Sequence, residues 1–211
     1  SSYIAQTYFS QQRAHFGLSG VRYLWDFAYP KAYAEKVEQA VKKFSVPEEL
    51  VWGIMRAESQ YRRDAISPVG ALGLMQVMPY TGQRIAKLLN DTSFQTQQLL
   101  QPETAIKMGT FYLKRLMNKF DNSTPLVAAG YNAGPHRVKN WLISFGHLDM
   151  DEFIDHIPFL ETRNYVKKVV ANTHVYGQMY KDKKNQWTFL SNPISVKPDA
   201  NLVTKESWDE I

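Results

Sequence analysis

Cysteine is absent from all 211 residues, which excludes disulfides and thiolate-bound metals. No apolar run reaches the ~18 residues that a membrane-crossing helix needs. The five histidines, His15, His136, His147, His156 and His174, show no i, i+4 pairing around an intervening glutamate. We therefore expect no metal and no cofactor. Internal repeats and low-complexity stretches are lacking, and so is strand-like alternation, so the chain reads as mainly α. It starts Ser1-Ser2-Tyr3 with neither a methionine nor a secretory apolar region, which suggests a processed or excised fragment whose targeting information lies elsewhere.

What is present is ordinary for a soluble globular domain: 44% hydrophobic and 21% charged residues, enough for one compact core plus an arm or tail. A net charge of +5 and a pI near 9.2 favour an anionic partner, either nucleic acid or a carboxylate-bearing polymer such as peptidoglycan. The basic pairs Lys42-Lys43, Arg62-Arg63, Lys167-Lys168 and Lys183-Lys184 are scattered, with no recognition-helix or zinc-finger pattern beside them. Nucleic acid is therefore not the expected partner.

Residues 1–31 form an aromatic arm or linker, with Tyr3, Tyr8, Phe9, Phe16, Tyr23, Trp25, Phe27 and Tyr29 leading to Pro30. Residues 32–180 read as the main domain and 181–211 as a tail, whose Trp187, Phe189 and Trp208 are expected to dock. Helices are expected over 32–44, 79–89, 102–119, 136–145, 151–156 and 162–180, with another opening at Pro125 and stopping at Gly134-Pro135. Ser45 with Glu48 three residues later suggests a capping box, and Pro47 suits the first turn of the helix that follows. Within 102–119, Ile106, Gly109, Leu113, Leu116 and the following Phe120 make the inward stripe. Residues 61–78 read as a loop bent at Pro68, Gly70 and Gly73.

One carboxylate stands out. On a helix of about 100° per residue, Leu50, Val51, Ile54 and Met55 fall within an arc of roughly 140°, and Glu58 lands near its middle. Two readings follow. Glu58 is a structural acid, capping a backbone group or paired with Arg62 or Arg63. Alternatively, burial raises its pKa and leaves it protonated near neutrality, as general acid catalysis on a glycosidic oxygen requires.

Polar and aromatic residues recur where the chain turns tightly: Glu58-Ser59, then Ser67-Pro68-Val69-Gly70-Ala71, then Gly73-Leu74-Met75-Gln76-Val77-Met78-Pro79. Later come Ala129-Gly130-Tyr131-Asn132-Ala133-Gly134-Pro135 and Glu161-Thr162-Arg163-Asn164-Tyr165. Glutamine and asparagine amides can read acetamides and hydroxyls, and tyrosine or methionine can cover a sugar face. Taken singly, Met78, Tyr131 and Gly134 have plain structural explanations. In this order and spacing the motifs resemble the family 1 lytic transglycosylases, bacterial murein-cleaving enzymes with a goose-lysozyme-like catalytic fold. The resemblance covers roughly residues 32–180. The Glu161 motif, with Ala28-Tyr29-Pro30 upstream, is similar to the soluble periplasmic members, whose catalytic domain follows an α-superhelical region.

That resemblance implies Glu58 as the single catalytic acid/base, and Ser67, Gln76, Met78, Tyr131 and Glu161 along the saccharide groove, with Asn132 in the same motif. It also implies a periplasmic protein acting on peptidoglycan glycan strands, expected to be monomeric and able to associate peripherally with membrane or wall. Two positions depart from the pattern: Arg63, where the family often has proline, and Gly130, where it usually has alanine. The alternatives are a lysozyme-type hydrolase, which needs a second carboxylate and has Asp64 as its nearest candidate, and a non-catalytic wall-binding module.

Overall fold

A computed structural model describes residues 2–181 and 188–197. Among these the chain is helical, with isolated bridges Ile66–Leu72, Leu72–Val77 and Asp149–Pro193 in place of strands. The arm folds into α1 (Ser2–Thr7), α2 (Ser10–Gly20) and α3 (Arg22–Ala28). The main body follows as α4 (Ala34–Phe44), α5 (Glu48–Glu58), α6 (Pro79–Leu88), α7 (Pro102–Lys119), α8 (Thr124–Ala133), α9 (Pro135–Phe145), α10 (Met150–His156) and α11 (Leu160–Lys181).

α5 and α11 pack along each other at the centre, with α8 also against α11 and α4 against α7. The apolar arc of α5 is buried as its spacing demands: Leu50, Val51, Ile54 and Met55 are all 3% exposed or less. Burial of such side chains stabilises the fold by roughly 1.5–3 kcal/mol each. The α7 stripe behaves likewise, with Ile106, Leu113, Leu116 and Phe120 inside. Gly109 leaves room there for the Met75 side chain, so α7 helps to fix the loop that follows α5.

The capping box at the start of α5 does not form. Ser45 instead closes α4 in the left-handed conformation (φ 54°), and Pro47 precedes the first turn of α5 without a side-chain cap. The Glu48 carboxylate reaches Lys181 at the end of α11 (2.6 Å) rather than folding back on the backbone. Glu48 and Glu49 still place negative charge at the positive end of the helix dipole.

The arm packs on the main body through α3, where Arg22 Nη2 donates to the Met179 carbonyl (2.9 Å), and through the segment that follows it. Trp52 Nε1 donates to the Ala32 carbonyl (2.9 Å), the Tyr176 hydroxyl to Pro30 (2.9 Å) and the Tyr180 hydroxyl to Tyr29 (2.8 Å). Of the tail aromatics, Trp187 and Trp208 lie outside the described residues. The part of the tail that docks does so through Ile194, 3% exposed, and through Asn192, whose carbonyl accepts from the Met150 amide (3.3 Å).

Candidate active site

Glu58 is the last residue of α5, where the helix ends against the loop 59–78. Ser59 is buried and anchors that loop, its hydroxyl donating to the carbonyls of Leu74 (2.9 Å) and Met55 (3.3 Å). Leu72 and Val77 exchange backbone hydrogen bonds, so the Gly73-Leu74-Met75-Gln76 run forms a tight return. Gly73 has φ 73°, and a Cβ there would lie 1.9 Å from the Leu99 carbonyl oxygen, so only glycine fits. Leu74 and Met75 point into the core, which leaves Gln76 and Met78 partly exposed on the other side.

The Glu58 carboxyl accepts a 2.6 Å hydrogen bond from the Tyr165 hydroxyl on α11. Its partner is a phenol rather than a guanidinium, for Arg62 turns its Nε to the Ser59 carbonyl (3.2 Å). Glu58 is therefore not paired with Arg62. Burial raises the Glu58 pKa from 4.5 to about 7, against the opposing effects of the Tyr165 hydrogen bond and the positive charge of Lys168. Glu161, exposed in the first turn of α11, adds a small upward push. Lys168 donates its ammonium to the Ala57 carbonyl (2.9 Å), next to the acid.

Tyr131, on the last turn of α8, donates to the Met75 carbonyl (2.8 Å) and so ties α8 to the loop. Burial, and then the Glu58 charge, raise its pKa well above the ordinary phenol range, which keeps its proton in place. Asn132 accepts from the buried Thr162 hydroxyl (2.6 Å), which leaves its amide nitrogen to face other partners. Gln76, Met78, Tyr131 and Asn132 line one cleft of about 240 Å³, together with Tyr80 and His136.

Two expected groove residues stand apart from that cleft. The Ser67 hydroxyl accepts from the Ala71 amide (2.9 Å) and braces its own turn. Glu161 bears on Glu58 through charge. The Gln76 amide nitrogen donates to Gly73 (2.9 Å) and Ala65 (3.1 Å), so its oxygen is what remains for a ligand. Asp64 is exposed on the loop, as a solvated residue would be. Where alanine is usual, Gly130 leaves room for the Phe120 ring edge, which would lie 2.8 Å from a methyl group.

Sequence reasoning quoted Tyr165 within its motif but gave it no role. No local signal could have given it one, since Tyr165 lies 107 positions from Glu58. A roomier cavity of about 400 Å³ lies between the tail and the starts of α8 and α10, but no ionisable group lines it. Among the described residues no cluster of three or more His, Asp or Glu could hold a metal ion, and no helix is long and apolar enough to cross a membrane.

The described residues form a mainly helical body with one raised-pKa carboxyl, Glu58, at the end of a central helix, and its structural neighbours have the lysozyme-like fold. The family model "Transglycosylase SLT domain" matches residues 35–154, and "Soluble lytic transglycosylase helical domain" matches residues 156–185. The chain belongs to the transglycosylase SLT family. It is 39% identical over 165 residues to the soluble lytic murein transglycosylase of Escherichia coli K12, covering 76% of this chain and 26% of that one. It is 38% identical over 176 residues to a putative soluble lytic murein transglycosylase of Haemophilus influenzae, covering 81% and 29%. It thus spans little more than a quarter of these relatives' length.

Solved structures agree. An inactive mutant of the lytic transglycosylase Slt from Pseudomonas aeruginosa, carrying a Glu-to-Gln change, superposes with a TM-score of 0.71 at 30% identity, covering 98% of this chain and 31% of that one. A 70-kDa soluble lytic transglycosylase in complex with bulgecin A gives 0.76 at 33% identity, covering 90% and 32%.

Proposed function

We propose that this domain is a peptidoglycan lytic transglycosylase that cleaves the β-1,4 bond between N-acetylmuramic acid and N-acetylglucosamine. The observation that carries this reading is the Glu58 carboxyl: partly buried, bonded to Tyr165, with its pKa raised by desolvation to about 7. At neutral pH such a group can lend a proton and take one back. Glu58 protonates the glycosidic oxygen, the C1–O bond breaks, and the N-acetylglucosamine 4-hydroxyl leaves. The muramyl acetamide stabilises the developing cation from within the substrate. The carboxylate now on Glu58 takes the proton of the C6 hydroxyl as that oxygen closes on C1, giving a 1,6-anhydromuramyl end and restoring the acid.

One carboxyl serves both steps, which suits a site where Asp64 is a solvated loop residue and Glu161 is exposed. A retaining hydrolase would need a second carboxylate about 5–5.5 Å away, an inverting one about 6.5–9.5 Å. Gln76, Met78, Tyr131 and Asn132 would bind the saccharide in their shared cleft, with Ser67 and Glu161 further along the groove. The inactivity of a Glu-to-Gln mutant of the Pseudomonas aeruginosa relative supports an acid-dependent site. On this reading the domain works where peptidoglycan lies, which we take to be the periplasm.

The test is digestion of purified peptidoglycan by the wild type and Glu58→Gln, with muropeptide masses read out. Products one water lighter than hydrolysis products, lost in the variant, are expected. Hydrated reducing ends would make the domain a lysozyme-type hydrolase, and full activity in Glu58→Gln would remove Glu58 from the chemistry.

A further inference from the structure

Arg56 stands two residues before Glu58 on α5 and is only 7% exposed. Its guanidinium meets three groups on two segments, the end of α3 and α11. Nη1 donates to the Ala28 carbonyl at the end of α3 (2.6 Å), Nε donates to Asn172 Oδ1 on α11 (3.2 Å), and the group lies 3.9 Å from the centre of the Tyr29 ring. These partners are neutral, so the planar fork serves geometry rather than charge neutralisation. Asn172 completes the clamp by donating its Nδ2 to the Gly53 carbonyl of α5 (3.2 Å).

The same faces of the two helices meet along their whole contact. Tyr165, Lys168 and Asn172 are spaced by three and four residues, so they form one stripe on α11. That stripe holds α5 at Glu58, at the Ala57 carbonyl and at Gly53 with Arg56, in that order. Gly53 permits the approach, since a Cβ there would lie 2.6 Å from Thr173 Oγ1. Two turns of α11, about 10.5 Å, separate the clamp at Asn172 from the bond at Tyr165. A slide or rotation of α5 at the clamp therefore moves the carboxyl relative to Tyr165 and the cleft. The stakes are high, because misplacing a reacting group by about 1 Å costs on the order of 100-fold in rate.

We propose that Arg56, together with Asn172, is a positioning residue for the reaction: by clamping α5 to α11 and to the last turn of the arm it sets where the Glu58 carboxyl stands. The proposal rests on the reading of Glu58 as the acid. It also gives the arm a role, since the Ala28 carbonyl and the Tyr29 ring form one jaw of the clamp.

The test compares Arg56→Lys, Arg56→Met and Asn172→Ala with the wild type and with Val37→Ala, a variant of a buried α4 residue outside the site. Melting temperatures show which variants are folded and how far each is destabilised. For Arg56→Met and Asn172→Ala, kcat should fall about tenfold or more with KM within about twofold, and Arg56→Lys should recover part of the loss. Val37→Ala should lose stability while keeping kcat. Independently of turnover, the Glu58 carboxyl is titrated by carbon-13 NMR. Its midpoint should fall towards the ordinary carboxylate range in Arg56→Met and Asn172→Ala, as loosening admits water. A midpoint unchanged in both variants, or a kcat loss no greater than that of Val37→Ala, overturns the proposal. Failure of the acid reading shows separately, as full turnover in Glu58→Gln.

Discussion

A carboxyl whose pKa is raised from 4.5 to about 7 binds its proton more tightly in the folded chain than in the unfolded one. Glu58 contributes its full share of stability below about pH 4.5, and that share is lost as pH rises through 7. The loss amounts to about 3 kcal/mol at most, since a pKa difference of one is worth ~1.4 kcal/mol. Glutamine keeps an oxygen for the Tyr165 hydroxyl and never ionises. Glu58→Gln should therefore be more stable than the wild type at pH 8–9, by up to about 3 kcal/mol, with no gain near pH 4. Urea unfolding at both pH values measures this; equal stability at both would mean that the carboxyl is not held neutral by burial. Tyr165 works in the opposite sense, because its hydroxyl favours the charged form of Glu58. Tyr165→Phe should move the Glu58 titration above pH 7, carry the alkaline limb of kcat with it and lower kcat. A limb left in place would make Tyr165 a packing residue only.

Among the elements, the helices were legible because their signals are local. Apolar residues at helical spacing on α5 and α7 became the core, and proline near the first turn of α6, α7 and α8 marked real starts, while Pro135, read as a stop, is itself the first residue of α9. The capping box failed because Ser45 had a competing use, ending α4 in a left-handed turn before α5 began. Glu58 could be found from its place on an apolar arc, whereas Tyr165 could not be paired with it: the two are 107 positions apart, and nothing local in a sequence records such a contact. The loop between α5 and α6 is the element most exposed to substitution, because its return depends on one backbone conformation. Gly73→Ala meets both a positive φ and the Leu99 carbonyl, and should destabilise the domain by at least about 3 kcal/mol. Chemical denaturation would read this directly. A cost below about 1 kcal/mol would mean that the Leu99 segment yields easily and that the loop does not depend on glycine there.

For the molecule as a whole, the sequence marked the aromatic richness of residues 1–30 but not its use. Leu24 and Ala28 are buried and Tyr29 joins the core, whereas Tyr8, Phe16, Tyr23 and Phe27 stay more than half exposed. Hydrophobicity alone cannot sort such a set, because the sorting depends on which side chains the distant α11 meets. Net charge was legible at once, and it bears on how the domain meets a polymer rather than on how it folds. The positive charge is spread over the surface: Lys42, Lys43, Arg62, Arg63, Lys167 and Lys168 are all exposed. A carboxylate-bearing glycan would then be gathered by a diffuse, screenable attraction and placed by the cleft. Exposed charges lose most of their reach once the Debye length falls to a few ångströms. With Glu58→Gln used to prevent digestion, the fraction of protein that sediments with purified murein should fall steeply between about 50 mM and 500 mM salt. Tyr131→Ala should weaken the part that survives high salt, because the cleft contact is short-ranged. Salt-independent sedimentation would assign binding to the cleft alone and leave the +5 charge without a part in it.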